Sequence, residues 1–153
     1  MLVAWNVRGL NKSGKLKEIS SRLLELRPMM TILIETRVKQ ENAASIRQKL
    51  KLQGQFVDNY DRHDNGRIWC NWDVDRIDVK CIKSTSQLIH CEVRNKVGEF
   101  LYWVTAVYAH TTWRHDANCG MISLVSTGNN RVHGLYLVTL IMCYCQRIEL
   151  EVN

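Results

Sequence analysis

Two short stretches each put one polar side chain at the end of an apolar run. In Trp5-Asn6-Val7-Arg8-Gly9-Leu10-Asn11 it is Asn6, and in Leu33-Ile34-Glu35-Thr36-Arg37 it is Glu35. Asn6 brings an amide that donates and accepts hydrogen bonds, and Glu35 a carboxylate that accepts them. A strand ending at such a residue hands its side chain to the rim of a sheet, where α/β enzymes keep their chemistry. On residue type alone the commoner roles are humbler: a turn or cap for the Asn and a solvated carboxylate for the Glu.

The elements that must position these two residues follow from hydrophobic pattern. Residues 2–7 form a short apolar run bounded by Gly9, which reads as a buried strand. Ser13 is placed to cap a helix whose apolar residues Leu16, Ile19, Leu23 and Leu26 recur at spacings of three and four, and Pro28 ends it. Residues 31–34 are a second buried strand. A strand, helix, strand unit of this kind brings Asn6 and Glu35 to the same end of one sheet. A second helix is expected over 42–52, stopped by Gly54. Beyond it the period becomes two, predicting strands at 56–60, 67–72, 77–82, 88–93 and 100–108. Turn signals such as Asn65-Gly66 separate them. The fold class is α/β, with a mixed sheet and helices on its faces.

Whole-chain numbers agree with one globular domain: 153 residues, 46% hydrophobic and 24% charged. The net charge of +6 is uneven, because residues 1–112 carry 18 Lys and Arg against 12 Asp and Glu (18 − 12 = +6), and residues 113–153 carry 3 of each. Such a basic surface suits a polyanion such as nucleic acid, or is simply a solvated face. The six cysteines show no CxxC pair and no zinc-type Cys/His spacing, so reduced, mostly core thiols and no disulfide-linked partner are expected. Charged residues begin at Arg8, which does not fit a signal peptide. The longest apolar run, 134–145, is shorter than the ~20 residues a bilayer span needs. The expected location is intracellular, nuclear or cytoplasmic, with no membrane partner. The oligomeric state stays open.

Residues 5–11 and 33–39, Gly66-Arg67-Ile68-Trp69, Trp72-Asp73, Gln87-Leu88-Ile89-His90-Cys91 and Val107-Tyr108-Ala109 occur in an order that resembles the endonuclease domain of plant LINE-type (non-LTR) retrotransposons. That family belongs to the endonuclease/exonuclease/phosphatase superfamily, similar in fold to DNase I. The similarity covers residues 1–112. It implies the N-terminal part of a four-layered α/β sandwich, and a Mg²⁺-dependent hydrolysis of DNA that leaves a priming nick. Glu35 is then the Mg²⁺ ligand, as a hard oxygen donor to an ion that needs few protein carboxylates and keeps several waters. Asn6 and Tyr108 are then catalytic, holding phosphate or a catalytic partner by hydrogen bonds. The family often follows this Tyr with Pro-Asn, whereas Ala109-His110 stands here. Arg8 and Lys12 are candidate phosphate contacts, and His63, His90 and Cys91 read as structural. Asn6 and Glu35 alone would also suit a phosphatase of the same superfamily, but the match over 66–109 argues against it.

Two family elements are absent: Gly-Asp-x-Asn, and a later Ser-Asp-His. Activity of this chain is therefore not expected, which leaves two alternatives, a non-catalytic nucleic-acid-binding fragment and a functionless retroelement remnant. Residues 113–153 do not resemble the family in the frame given. Re-reading their codons so that each takes the last base of one residue and the first two of the next changes this. Met142, Cys143, Tyr144 and Cys145 then must encode V-L-L, and residues 132–141 can encode P-W-L-I-S-G-D-F-N-N, which holds the missing element. In the same frame residues 113–122 can encode M-E-T-R-C-K-L-W-D-D, matching an R..LW element of the family. The tail is expected to be an out-of-frame translation whose apolar run could still pair with a sheet edge or form an ordinary terminal strand.

Overall fold

The structure, a computed structural model, describes residues 1–62 and 67–108 with their side chains, and three strands of the tail by backbone. The Asn65-Gly66 turn and His63 lie outside the described residues.

Strand β1 (Leu2–Asn6), helix α1 (Ser13–Leu26) and strand β2 (Met30–Ile34) form the expected unit, with β1 and β2 parallel and adjacent. Helix α1 begins at Ser13 with Lys12 in the cap position and no side-chain cap, so Ser13 is its first residue instead of its cap. It ends where Arg27 turns left-handed, one residue before Pro28. Helix α2 covers Gln40–Lys49. It stops earlier than hydrophobic pattern predicts because Lys51 also takes a left-handed φ, of 56°. Strand β3 (Gln55–Asp58) is likewise short and gives way to a 3₁₀ turn at Tyr60–Arg62. Strands β4 (Ile68–Trp72), β5 (Ile77–Ser84), β6 (Leu88–Asn95) and β7 (Phe100–Tyr108) follow; β6 and β7 alternate in burial, whereas β4 is buried throughout and the second half of β5 is largely exposed.

The strands form two sheets, as the sandwich implied by the resemblance requires. The first has strand order β10-β1-β2-β4-β3, and the second β5-β6-β7-β9-β8, where β8 (Ile122–Leu124), β9 (Leu137–Met142) and β10 (Arg147–Leu150) come from the tail. The tail's apolar run thus pairs parallel to β7, and β10 runs antiparallel to β1.

Alternation sorts the strands' side chains into two cores. Leu2, Ala4, Met30, Ile32, Ile34, Ile68, Cys70 and Trp72 of the first sheet meet Ile89, Cys91, Val93, Tyr102, Val104 and Ala106 of the second. On the opposite face of the first sheet Val3, Leu33 and Trp69 pack against Ile19 and Leu23 of α1 and Ala43 and Ile46 of α2. Among the described residues the order of layers is helices, sheet, sheet. None of the described helices is long and apolar enough to cross a membrane.

Candidate active site

The parallel register sets Asn6 beside Ile34, so that Glu35 follows at the carboxyl end of β2. Asn6 has the parity of Leu2 and Ala4, and its side chain belongs to the face turned toward the second sheet. Its Nδ2 donates to Glu35 Oε1 at 3.3 Å, and both residues are only 8% exposed. The other carboxylate oxygen, Oε2, accepts from Arg37 Nη2 at 3.0 Å. Arg37 keeps about half of its side chain in solvent, so this ion pair closes the site from outside.

The chain bends sharply on both sides of this pair. Arg8 (φ 45°), Glu35 (59°) and Arg37 (53°) are three of the five non-glycine residues with positive φ among those described, and Gly9 (93°) follows Arg8, where an added Cβ would lie 3.7 Å from Arg37 Cδ. A left-handed non-glycine residue costs on the order of 1–3 kcal/mol, and such strain clusters where geometry serves a function. Backbone bonds fix the bends: Val7 N–H donates to Ile34 O at 2.8 Å, Gly9 to Glu35 at 2.7 Å and Leu10 to Thr36 at 2.9 Å. Asn6 Oδ1 accepts the Arg8 N–H at 3.1 Å, which fixes the amide with its nitrogen toward Glu35.

Tyr108 ends β7 and is buried at the rim of the core between the sheets. The Arg67 guanidinium lies 5.1 Å over its ring. Arg67 itself stands just before Ile68, which pairs with Ile34, so it neighbours the Glu35 bend. Its carbonyl takes the Thr36 N–H at 3.4 Å. Arg67 Nε is buried and has no hydrogen-bond partner among the described residues. A cationic donor without an acceptor at this rim suits an anion.

Asn59 holds this arrangement together. Fully buried, it accepts the N–H groups of Arg67 and Ile68 at 2.9 and 3.0 Å, and donates to the carbonyls of Thr85 and Ser86 at 3.3 and 3.1 Å. It thereby ties the start of β4 to the β5–β6 turn, and the next residue, Gln87, takes the Tyr108 N–H at 2.7 Å.

Of the residues singled out in the sequence, Asn6 and Glu35 touch, and Tyr108 joins their end of the sandwich through Arg67. Arg8 contributes a backbone bond and an exposed side chain, and Lys12 is exposed at the start of α1. His90 stacks on Trp103 at 5.1 Å with its Nδ1 2.8 Å from the Thr105 hydroxyl, and Cys91 is a core thiol. Arg37, Arg67 and Asn59 also belong to this end of the sandwich, and residue pattern does not single them out. The sequence signal for Arg67 was its place directly after a turn and before a strand. Asn59 gave none.

The donor set suits a hard cation held through a single carboxylate, with the lone pairs that Asn6 and Arg37 leave on Glu35. No group of three or more His, Cys, Asp and Glu able to hold a metal occurs among the described residues.

No protein-family model matches the sequence, and no curated protein matches it. Solved structures do. The endonuclease domain of TRAS1, a telomere-specific non-LTR retrotransposon, is 12% identical with a TM-score of 0.51, over 71% of this chain and 45% of that one. TDP2 from D. rerio, complexed with a single-strand DNA product, is 15% identical at 0.51 over 72% and 47%. The AP endonuclease LMAP from Leishmania major is 15% identical at 0.50 over 70% and 39%. The fold is therefore that of the DNase I-like α/β sandwich, and the chain spans less than half the length of each of these structures.

Proposed function

We propose that this chain is a piece of a Mg²⁺-dependent DNA endonuclease from a plant LINE-type retrotransposon, residues 1–112 being the N-terminal part of its domain, and that it does not itself cleave DNA. The observation that carries the reading is the buried Asn6–Glu35 contact at paired strand ends, in a fold shared with structures whose names are those of endonucleases. In this reading Glu35 holds the cation through one carboxylate oxygen, and Asn6 keeps that carboxylate oriented. When bound, the cation neutralises charge that builds on the phosphate and the leaving oxygen. Tyr108 donates its hydroxyl to a phosphate oxygen, and Arg67 offers the same anion its unpaired N–H. Neither the Gly-Asp-x-Asn nor the Ser-Asp-His element occurs in the sequence. Such groups work as a unit, so their loss removes most of the rate.

Residues 113–153 are, on this account, out of frame. Sequencing the DNA that encodes residues 105–153 and its continuation tests this. A shifted frame running through G-D-F-N into further endonuclease sequence is the result expected. Codons at Val138, Thr139 and Leu140 that forbid that reading would make the tail native.

The placement of the whole +6 charge within residues 1–112 supports a second reading, a non-catalytic DNA-binding fragment. It requires plasmid binding that falls steeply with salt and survives Glu35→Ala.

A further inference from the structure

The second sheet brings together two cysteines that the sequence sets ten positions apart. Cys81 on β5 lies directly opposite Cys91 on β6 in the antiparallel register. Directly paired residues share a sheet face, with Cα atoms about 4.5–5.5 Å apart. That separation falls inside the ~4.4–6.8 Å a disulfide spans. β5 is an edge strand, and along its inner face burial fades from Ile77 through Val79 to Cys81, which is exposed. Its partner Cys91 is buried in the core between the sheets. Immediately after Cys81 the register breaks, a shift between Cys81 and Lys83. An irregularity there gives the edge strand slack to draw the two sulfurs together. Both thiols are free in the structure.

We propose that Cys81 and Cys91 form a reversible oxidation site, with Cys81 as the thiol that meets reagent and Cys91 as the thiol that resolves it. The reagent class is a small anionic disulfide such as oxidised glutathione, whose carboxylates the exposed Lys80 and Lys83 on either side of Cys81 attract. In the first step the Cys81 thiolate attacks one sulfur of that disulfide. A Cys81–glutathione bond forms, and glutathione thiolate leaves with the electron pair and takes up the proton Cys81 lost. Cys91 then gives up its proton and attacks Cys81 Sγ, so that the Cys81–Cys91 bond forms and the second glutathione leaves as a thiol. Two protein thiols are oxidised by two electrons, and one small disulfide is reduced to two thiols. Burial pushes the Cys91 thiol up to about 12. Exposure therefore assigns the first attack to Cys81, and the raised Cys91 thiol makes closure the slow step.

Among the described residues Cys70 is the competing partner, because it lies buried in the same core as Cys91. The register favours Cys81 over it, since Cys70 belongs to the facing sheet.

The test uses the full reduced chain, exposed to excess oxidised glutathione, alkylated, digested with trypsin without reductant and read by mass spectrometry. The result expected is the Cys81-Ile82-Lys83 peptide joined to the 84–94 peptide, lighter than the two reduced peptides by two hydrogen atoms, and restored by reductant. Cys91→Ala should stop the reaction with glutathione retained on Cys81, and Cys70→Ser should leave the cross-link unchanged. The proposal is overturned if Cys81 and Cys91 are both alkylated, if wild-type Cys81 keeps its glutathione unresolved, or if Cys91 is recovered joined to Cys70. A control in urea, where the six cysteines pair without the register, should lose the preference for this pair. A preference that persists there also overturns it.

Discussion

Asn6 and Glu35 are 29 positions apart in sequence and 3.3 Å apart in the fold, amide nitrogen to carboxylate oxygen. Parallel pairing of β1 with β2 produces that approach, and left-handed turns at Arg8, Glu35 and Arg37 hold both side chains at the rim. Arg37 occupies the second carboxylate oxygen, Oε2.

In the proposed function, where Glu35 holds a divalent ion, Arg37 is an internal competitor for that ion. Because its side chain is half exposed, the pair is worth only ~0–1 kcal/mol. Arg37→Ala is expected to leave stability nearly unchanged and to tighten cation binding about two- to fivefold. Mn²⁺-induced broadening of the Gly9 and Thr36 amide resonances would measure it. Broadening that is unchanged by Arg37→Ala and persists in Glu35→Ala would place the ion elsewhere.

Asn59 satisfies four backbone groups with one side chain. Asn59→Ala leaves buried N–H and C=O groups unpaired and should cost about 3 kcal/mol. Urea denaturation reads the loss. A change below about 1 kcal/mol would show that the brace between the sheets is not needed.

At Gly54, φ is +87°, and a Cβ would come within 2.1 Å of the Trp72 carbonyl oxygen. Gly54→Ala therefore meets both a left-handed backbone and a rigid neighbour, at the point where β3 joins β4. The loss should be at least ~2 kcal/mol in the same denaturation experiment. Gly98, also left-handed at +86°, has open space around it, so Gly98→Ala should cost about half as much or less.

Burial raises the Tyr102 hydroxyl from 10.0 to about 12, and raises the Cys91 thiol from 9.0 to about 12. The folded chain holds these protons more tightly than the unfolded chain. Stability is accordingly full below the unfolded values and falls as pH rises from about 9 to about 12. The Tyr102 hydroxyl is buried with no hydrogen-bond partner among the described residues. Tyr102→Phe should therefore be neutral or slightly stabilising at pH 7. At pH 11 it should remove about 1.4 kcal/mol of the loss. Parallel melts at pH 7 and pH 11 decide this. An equal alkaline loss in both proteins would contradict it.

Residue pattern made β1, α1, β2 and β7 legible, since each carries its period without interruption, and with them the meeting of Asn6 and Glu35. The boundary of α2 was not legible, because Lys51 takes a left-handed turn that no residue type announces. The division into two sheets follows from the sandwich that the resemblance implies and not from residue pattern: all five residues of β4 are buried, with a core on each face, so its pattern does not say which strand they face. The roles of Arg67 and Asn59 depend on the approach of the β5–β6 turn to the start of β4. That contact spans 26 and 27 positions of sequence and leaves no local trace.

The most direct test of the account is a nicking assay on supercoiled plasmid with Mg²⁺. It compares the chain as given, its Glu35→Ala variant, and a version continued in the shifted frame from residue 113 through G-D-F-N to the end of that reading frame. The account predicts no cleavage above background by the first two, and nicking by the third that Glu35→Ala abolishes. Nicking by the chain as given, lost on Glu35→Ala, would contradict it.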